Sequence, residues 1–569
     1  MNGQQQGFGP PYHHAQPPVI PPRPPVGVPP PPGAAQNQTM FQGFEWYVPA
    51  DHQHWNRLEK ALPALAALGV TSMWIPPACK AGWYTGNGYD IYDLYDLGEF
   101  EQKGSRHTKW GTKEELVAMA EGAARCGIRI LFDAVLNHKA AADYSEEVVA
   151  TKYDGEDRTQ VCEESCVIEA WSGYEFPGRG SAYSPLKWNK EHFTGIDYDH
   201  KTRSKGIWKF QGKEWAQDVD EELGSYDYLM FADVDHNHPE VRRDLFYWVT
   251  WLASQVRLGG LRLDAVKHYS ASFLRDLVHH IDRTVGRDWF IVGEYWRDDA
   301  NVLSKFISFV GDRISLFDVR LVNNFSRLSF QDRADLRTVF DGSLASLRPR
   351  HAVTFVANHD TMEGQSLAAP IAEYFLPLAY ACILLRADFG IPCVFYGHLY
   401  GYPRPDGNGF VEPPFGGKLL PKIVLARKLY AYGPQIDYFD HPHSVGFTRL
   451  GFPQYGTSGM AVVMTNGWTH TTKTMFVGPE HAGERWTDVL GGCWGEVVID
   501  HEGWGVFAAA PRSAAVWVNR QAPRREEIDC FTFDYDIYGR SIHDSPVTAN
   551  DLHKPRLETE PVWMSAMGL

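Results

Sequence analysis

Between residues 39 and 433, short apolar runs alternate with stretches whose apolar residues recur every three or four positions. The first kind, bounded by Gly or Pro, predicts buried strands, and the second predicts amphipathic helices. TMFQGFEWYV (39–48) reads as a strand, followed by a helix over 54–68 with Leu58, Leu62 and Leu65 on one stripe. GVTSMWIPPA (69–78) is the next strand, closed by Pro76 and Pro77. A helix over 113–126 leads to the strand GIRILFDAVLNH (127–138). After an interruption the alternation resumes at Pro239, a residue suited to a first helical position, with Val241, Leu245, Trp248, Leu252 and Val256 on one face. A strand then opens GGLRLDAVKHYS (259–270), and further strands follow in DWFIVGEYW (288–296), RISLFDVRL (313–321), HAVTFVANHD (351–360) and GIPCVFYG (390–397). Helices separate them, among them 272–283 and 371–385, and a last one spans about 422–432. Eight strands, most followed by a helix, predict an α/β fold, a (β/α)8 TIM barrel built from residues 39–138 and 238–433.

Residues 139–237 are polar, aromatic and Gly-rich, without a helical period. A stretch that long does not stay unstructured inside a compact domain, so it reads as a subdomain inserted after strand 3. Over 434–520 short runs such as GMAVVMT and SAAVWVN alternate with turns, which predicts a C-terminal antiparallel β-sandwich. Residues 521–569 are polar with scattered aromatics, and their pattern leaves open a packed or a disordered extension. Residues 1–38, with PPRPPVGVPPPPG at their centre, predict an extended, polyproline-like, solvated tail, either a linker or a ligand of an SH3 or WW domain.

The net charge of −16 argues against a nucleic-acid partner, because phosphate binding needs a basic surface. Aromatics make up 14% of the chain, with 19 Trp; aromatic faces suit sugar rings, although most Trp residues in any chain are core. Cys79, Cys126, Cys382 and Cys393 lie in apolar stretches and read as buried thiols. Cys162 and Cys166 have no second Cys or His pair at zinc spacing. The N-terminus lacks a basic n-region and an apolar h-region, and no uncharged apolar run reaches spanning length. The expectation is a cytoplasmic protein with no membrane partner.

The chemistry gathers at strand ends, where a barrel of this kind carries its functional groups. Strand 3 ends in Asp133, Asn137 and His138; strand 4 in Arg262, Asp264, Lys267 and His268; strand 5 in Glu294; strand 7 in Asn358, His359 and Asp360. Residues two apart share a face of a strand, so Arg262 and Asp264 are neighbours, and the Arg is expected to lower the Asp pKa. Alone, that pair is equally a structural ion pair or a nucleophile. Together, three carboxylates around one cleft suit glycosidic cleavage, which needs a protonated acid for the leaving oxygen and a carboxylate for the oxocarbenium-like carbon. Asp264 fits the nucleophile. Glu294, flanked by Tyr295 and Trp296 at the end of an apolar strand, fits an acid whose pKa burial raises. Asp360 fits a group that holds substrate hydroxyls, and His138 and His359 can donate to sugar hydroxyls.

The stretches FDAVLNH (132–138), GLRLDAVKH (260–268), VGEYW (292–296) and FVANHD (355–360) resemble the four signature regions of the α-amylase family, glycoside hydrolase family 13, in the family's order. FEWYVPADHQHWNRL (44–58), WKFQGKEW (208–215) and KLYAYGPQIDYFDH (428–441) are similar to the liquefying bacterial type and its intracellular fungal relatives. The resemblance implies catalytic Asp264 (nucleophile), Glu294 (acid/base) and Asp360 (transition-state stabiliser), with Arg262, His138 and His359 as hydrogen-bonding neighbours. It implies that Tyr89 stacks on the sugar at the cleavage point. Lys267 and His268 would bind the next sugar on the leaving-group side, and Trp296 would line the same groove. It further implies calcium (Ca2+), held by Asn137, Asp227, Asp233 and the backbone carbonyl of His268. Thr194 and Ala216 stand where a second calcium and a sodium need Asp, so a single calcium site is expected. Pro442 and His443 stand where a third calcium site needs His and Asp, and His398 where the family usually has Asp at the cleft rim.

The function this implies is endo-acting, retaining hydrolysis of α-1,4-glucosidic bonds in starch- or glycogen-type glucans through a glycosyl-Asp intermediate. The motifs leave open an intracellular glucanotransferase of the same chemistry. A non-catalytic glucan-binding relative is the remaining alternative, and it typically loses a catalytic carboxylate, which this chain keeps.

Overall fold

The computed structural model describes residues 37–404, 406, 408–452 and 459–540. The Pro-rich stretch over 1–36 and the chain after 540 lie outside the described residues.

Eight parallel strands close into a barrel: β1 (Met40–Gln42), β2 (Ser72–Ile75), β3 (Arg129–Ala134), β4 (Gly260–Leu263), β5 (Phe290–Gly293), β6 (Ser315–Phe317), β7 (Ala352–Phe355) and β8 (Ile391–Phe395). The order round the barrel is β1-β2-β3-β4-β5-β6-β7-β8 and back to β1. Each is followed by a helix: α1 (His54–Leu68), α2 (Lys113–Arg125), α3 (Pro239–Gln255), α4 (Ala271–Thr284), α5 (Ala300–Phe309), α6 (Val319–Phe330), α7 (Leu376–Leu385) and α8 (Leu419–Tyr430). The sequence pattern marks each helix. α1 buries Trp55, Leu58, Leu62, Leu65 and Leu68, each Leu contributing about 1.5–3 kcal/mol by leaving water. Thr112 and Glu115 form a reciprocal capping box at the start of α2. Ser270, Asp299 and Asp318 cap α4, α5 and α6 through their side chains.

The strands are shorter than the apolar runs that announce them. β1 stops at Gln42, not Val48, and the chain beyond it turns into the loop that carries Glu45, Trp46 and Tyr47. The run over 313–321 ends early because Asp318 accepts the Leu321 N–H and starts α6 at Val319. α7 begins five residues later than expected, after a short 3-10 turn at Glu373–Phe375; Pro377 sits in its first turn, where a missing N–H does no harm. Cys126 is half-buried rather than buried.

The segment between β3 and α3 is antiparallel β, not irregular. Its six-stranded sheet runs His138–Lys139, Ala232–Val234, Phe193–Asp199, Ser204–Phe210, Tyr144–Tyr153, Val161–Gly173. The first strand begins only a few residues after β3 ends at Ala134, and His138 pairs with Asp233. The inserted sheet therefore hangs from the rim of the barrel. The C-terminal part is a six-stranded antiparallel sheet facing the two-stranded ladder Thr471–Phe476 with Trp504–Ala509, around Met475, Trp486, Phe507 and Trp517. Beyond it a turn of helix (Arg525–Asp529) is tied to the sandwich by Arg525 Nη1, which donates to the Val518 carbonyl at 3.0 Å. The chain then returns to the barrel, where Phe531, Phe533, Tyr535, Ile537 and Tyr538 pack against the core. Among the described residues no helix is long and apolar enough to cross a membrane.

Candidate active site

Register sets the site. β4 pairs with β3 so that Arg262 lies opposite Asp133, and with β5 so that it lies opposite Val292, two residues before Glu294. The Arg262 guanidinium, 1% exposed, joins three carboxylates. Nη1 donates to Asp133 Oδ1 at 2.8 Å and to Asp264 Oδ1 at 2.6 Å, and Nη2 donates to Glu294 Oε2 at 2.8 Å. Ala265, at φ +49°, turns the chain sharply after Asp264 and aims its N–H at Glu294 Oε2, 3.2 Å away. A non-glycine residue in this left-handed region stores strain of about 1–3 kcal/mol, which the surrounding packing holds in place.

Burial decides the protonation of these groups. Asp264 is pushed up to about 6 from 3.8: loss of hydration outweighs the attraction of Arg262. Arg262 does pull this pKa down, as expected, but the net shift is upward, because burial outweighs that pull and the Asp133 charge adds to the rise. Glu294 is also raised, by burial first and then against the pull of Arg262 by the charge of Asp264. Glu294 offers Asp264 a hydrogen bond, which requires one of the two carboxyls to carry the proton. Asp360 is raised well above its ordinary value by burial and by Glu294 and Asp264, which places it at the same centre.

Aromatic rings wall this cluster. His359 and Tyr89 stack with centroids 5.1 Å apart and planes 10° apart, and Trp46 stacks parallel to both. Tyr89 Oη and Trp74 Nε1 donate to Asp133 Oδ2 at 2.8 and 2.9 Å, so Asp133 orients Tyr89 and Arg262 together. His359, kept neutral by burial, accepts from Gln42 Nε2 at Nδ1 (3.1 Å) and directs Nε2–H at Asp360 Oδ2 (3.2 Å). His138 stands one layer out. Its Nε2–H goes to the Tyr89 carbonyl at 2.8 Å and burial pulls its pKa to about 4, so that proton helps to fix Tyr89.

Lys267, His268 and Trp296 line one flank with residues 222–226 of the inserted sheet's connections. Lys267 Nζ lies 2.6 Å from Glu222 Oε2 and 3.1 Å from the Trp296 carbonyl. His268 Nδ1 donates to the Tyr226 carbonyl at 2.9 Å, and burial pulls its pKa to about 3.

The residues expected to hold calcium also converge. The Val234 N–H bonds the Asn137 carbonyl at 3.0 Å, which sets Asn137 beside Asp233, while the His268–Tyr226 bond brings His268 beside Asp227. Asp227 is pushed up to about 7 by burial and then by the charges of Asp235 and Asp218, and Asp233 is raised well above its ordinary value by burial and then by the charge of Asp227. Asn137 Oδ1 is buried without a partner. Two buried carboxylates that repel each other beside an orphaned amide oxygen form a hard, all-oxygen donor set of the kind calcium takes. Thr194 Oγ1 donates to Asp233 Oδ2, and the Ala216 N–H donates to Asp227 Oδ2 at 2.9 Å. Sequence reasoning did not single out His192, His238 and Glu240, whose ligand atoms lie within 4.8 Å of one another. His192 Nδ1 accepts the Asn189 N–H there, which leaves Nε2 protonated and turned to Glu240 as a hydrogen-bond donor.

His398 is half-buried, with Nδ1 2.9 Å from Tyr380 Oη, and burial pulls its pKa to about 4. Gln42, Trp46, Trp74 and Gln365 belong to the surroundings of the site and were not singled out. Gln42 had one signal, a polar residue inside the apolar run that forms β1.

A family profile described as alpha amylase, catalytic domain, matches residues 54–408, and one described as alpha-amylase C-terminal matches 457–518. The chain is 45% identical over 485 residues to the Bacillus licheniformis "Alpha-amylase", covering 85% of this chain and 94% of that protein. It is 39% identical over 495 residues to the "Cytoplasmic alpha-amylase" of Escherichia coli K12, covering 85% and 99%. Among solved structures, an Anoxybacillus α-amylase superposes with a TM-score of 0.58 at 18% identity, covering 86% of this chain and 98% of that one.

Proposed function

Because the chain belongs to the α-amylase family, glycoside hydrolase family 13, we propose that it cleaves internal α-1,4-glucosidic bonds of starch- or glycogen-type glucans with retention of configuration. The observation that carries this reading is the single guanidinium of Arg262 joined to both Asp264 and Glu294.

Glu294, held protonated by burial, gives its proton to the glycosidic oxygen as the bond to the anomeric carbon breaks. Asp264 attacks that carbon from the other face, and a glycosyl ester forms. Glu294, now ionised, takes a proton from water; the water oxygen attacks the same carbon, Asp264 leaves, and both carboxyls return to their starting states. Arg262 remains bonded to both throughout and stabilises the charge that moves between them. Asp360, with the His359 N–H behind it, accepts hydrogen bonds from sugar hydroxyls and strengthens them as the ring flattens. Tyr89, clamped by Asp133 and His138, presents its face to the sugar.

Asn137, Asp227, Asp233 and the His268 carbonyl would hold calcium. Bound there, the ion neutralises two facing carboxylates and ties the inserted sheet to the ends of β3 and β4 beside Lys267. All eight cysteines are free, which suits a reducing, cytoplasmic setting such as the E. coli relative's name describes for that protein.

Incubation of the purified chain with maltoheptaose tests the reading. Shorter maltooligosaccharides released in the α configuration are expected, and Asp264→Asn should abolish them while the fold is kept. An Asp264→Asn variant as active as wild type would overturn the assignment. Products longer than the substrate would move the reading to a glucanotransferase.

A further inference from the structure

The C-terminal segment after the sandwich reaches the mouth of the barrel. From Cys530 to Tyr535 alternate residues turn inward, Phe531, Phe533 and Tyr535 being half-buried and their neighbours exposed. The Phe533 and Tyr400 rings lie 5.6 Å apart, and Tyr535 covers Gly417, where an added Cβ would stand 2.9 Å from its ring. Tyr538 is seated between elements: its Oη is 3.1 Å from Tyr396 Oη, its ring meets Phe410 edge-on at 5.5 Å, and the Arg57 guanidinium from α1 lies 5.3 Å from the ring centre. Arg540 lies over the Phe410 ring at 3.4 Å and donates to Glu412 Oε1 at 2.9 Å.

Phe410 and Glu412 belong to a hairpin that follows β8, in which Tyr402–Pro403 pairs with Phe410–Val411. A ladder of two residues per strand is marginal without outside packing. On its inner side Tyr402 stacks on Tyr47 at 6.2 Å, and Tyr47 Oη accepts from Gln365 Nε2 at 2.9 Å. Tyr47 adjoins Trp46, the ring stacked on Tyr89 and His359. A cavity of about 180 Å3 lies between this hairpin and the loop after Asp360, lined by Thr361, Met362, His398, Tyr402, Val411 and Glu412. Glu412 thus faces the cavity and is gripped by Arg540. In the barrel order β8 and β1 stand opposite β4 and β5, so this wall faces Lys267 across the mouth.

We propose that residues 530–540 buttress the cleft wall opposite Lys267, and that Tyr538 and Arg540 are positioning residues that set how firmly the non-reducing side of a glucan is held. This rests on the glucan-cleaving reading above. The segment lies beyond residues 457–518, the part matched as the family's C-terminal domain, so the cleft of this chain is completed by its own extension. With Arg540 and Tyr538 in place, the hairpin keeps Tyr402 against Tyr47 and the wall is preformed; without them it is free to swing, and only a substrate long enough to touch it is affected.

The test compares full-length Arg540→Ala and Tyr538→Ala with wild type on maltoheptaose and on maltotriose. A fall on the order of tenfold in kcat/KM for maltoheptaose, carried by KM, is expected, the scale of a displaced binding wall. Maltotriose turnover should stay within about twofold, and the product lengths from maltoheptaose should shift. Arg540→Lys, which keeps the charge over Phe410, should recover most of the loss. Equal losses on both substrates, or unchanged kinetics and products, would overturn the proposal. If Tyr538→Ala fails to fold, Arg540→Gln at the half-exposed end of the segment reads the same contrast. A wild-type chain inactive on both sugars would instead refute the glucan reading itself.

Discussion

Arg262 Nη2 lies 2.8 Å from Glu294 Oε2, so the acid and the nucleophile share one cation. Each carboxyl's ionisation therefore changes what the other feels, and the pair titrates as a unit. Burial sets the overall direction. Asp264 loses its proton near 6, and Glu294, raised and next to an already ionised Asp264, loses its own later.

The pH profile of kcat/KM should therefore be a bell. Activity rises with pH as Asp264 ionises, with the acid limb near 6, and falls on the alkaline side as Glu294 deprotonates. Rates measured on maltoheptaose from pH 4 to 9 check this. An acid limb near the ordinary aspartate value of 3.8 would mean that Arg262 dominates burial after all.

The same shift has a stability consequence. The folded pKa of Asp264, about 6, lies above its unfolded value of 3.8, so the native state keeps this proton longer than the unfolded chain does. Its contribution to stability is full below the unfolded value and declines as pH rises to about 6, remaining low above that. Asp264→Asn removes that decline while Arg262 keeps Asp133 and Glu294. At pH 7 the inactive variant should melt no lower than wild type, and at pH 4 the advantage should vanish. Thermal melts at the two pH values read the difference.

Arg262 itself should behave differently. Arg262→Ala leaves three buried carboxylates without their cation, and breaking such a network costs about 3–5 kcal/mol. Arg262→Lys restores a charge but not the fork that reaches Asp133, Asp264 and Glu294 together. The Lys variant should recover much of the melting temperature and little of kcat, and melting curves alongside maltoheptaose turnover separate the two. Full activity in Arg262→Lys would show that charge alone, not geometry, is needed.

What the sequence made legible follows from range. The eight strands announce themselves because a barrel strand is buried on both faces and reads as an unbroken apolar run. Asp264, Glu294 and Asp360 stand out because a polar residue closing such a run has no place in a core. The sign of the Asp264 shift was hidden, since it depends on burial by groups from elsewhere in the chain and on the charge of Asp133 on the neighbouring strand. The His138 proton went to the Tyr89 carbonyl for a similar reason: a backbone acceptor leaves no mark in the sequence. The alternation in FTFDYDIY after residue 530 signals one buried face, but nothing local says that the face it meets is Tyr396, Tyr400 and Phe410. The strand lengths were overestimated because apolar residues continue past the barrel rim into loops that are themselves buried around the site.

Metal removal gives the last prediction. Asp227 and Asp233 lie at the junction between the inserted sheet and the barrel rim, not within the barrel's strand ladder. His268, whose carbonyl is expected to complete the set, follows Asp264 by four residues and Lys267 by one. Loss of calcium would leave two mutually repelling buried carboxylates at that junction, so the inserted sheet should loosen first and carry Glu222 away from Lys267. The eight-stranded barrel does not need the ion to close. Added chelator should therefore remove maltoheptaose turnover at concentrations that leave the barrel's cooperative melt in place, and calcium should restore turnover. Asp233→Asn should raise the calcium concentration needed for half-maximal restoration without moving the acid limb of the pH profile. Activity and barrel melting that decline together across the chelator titration would count against a junction role for the site.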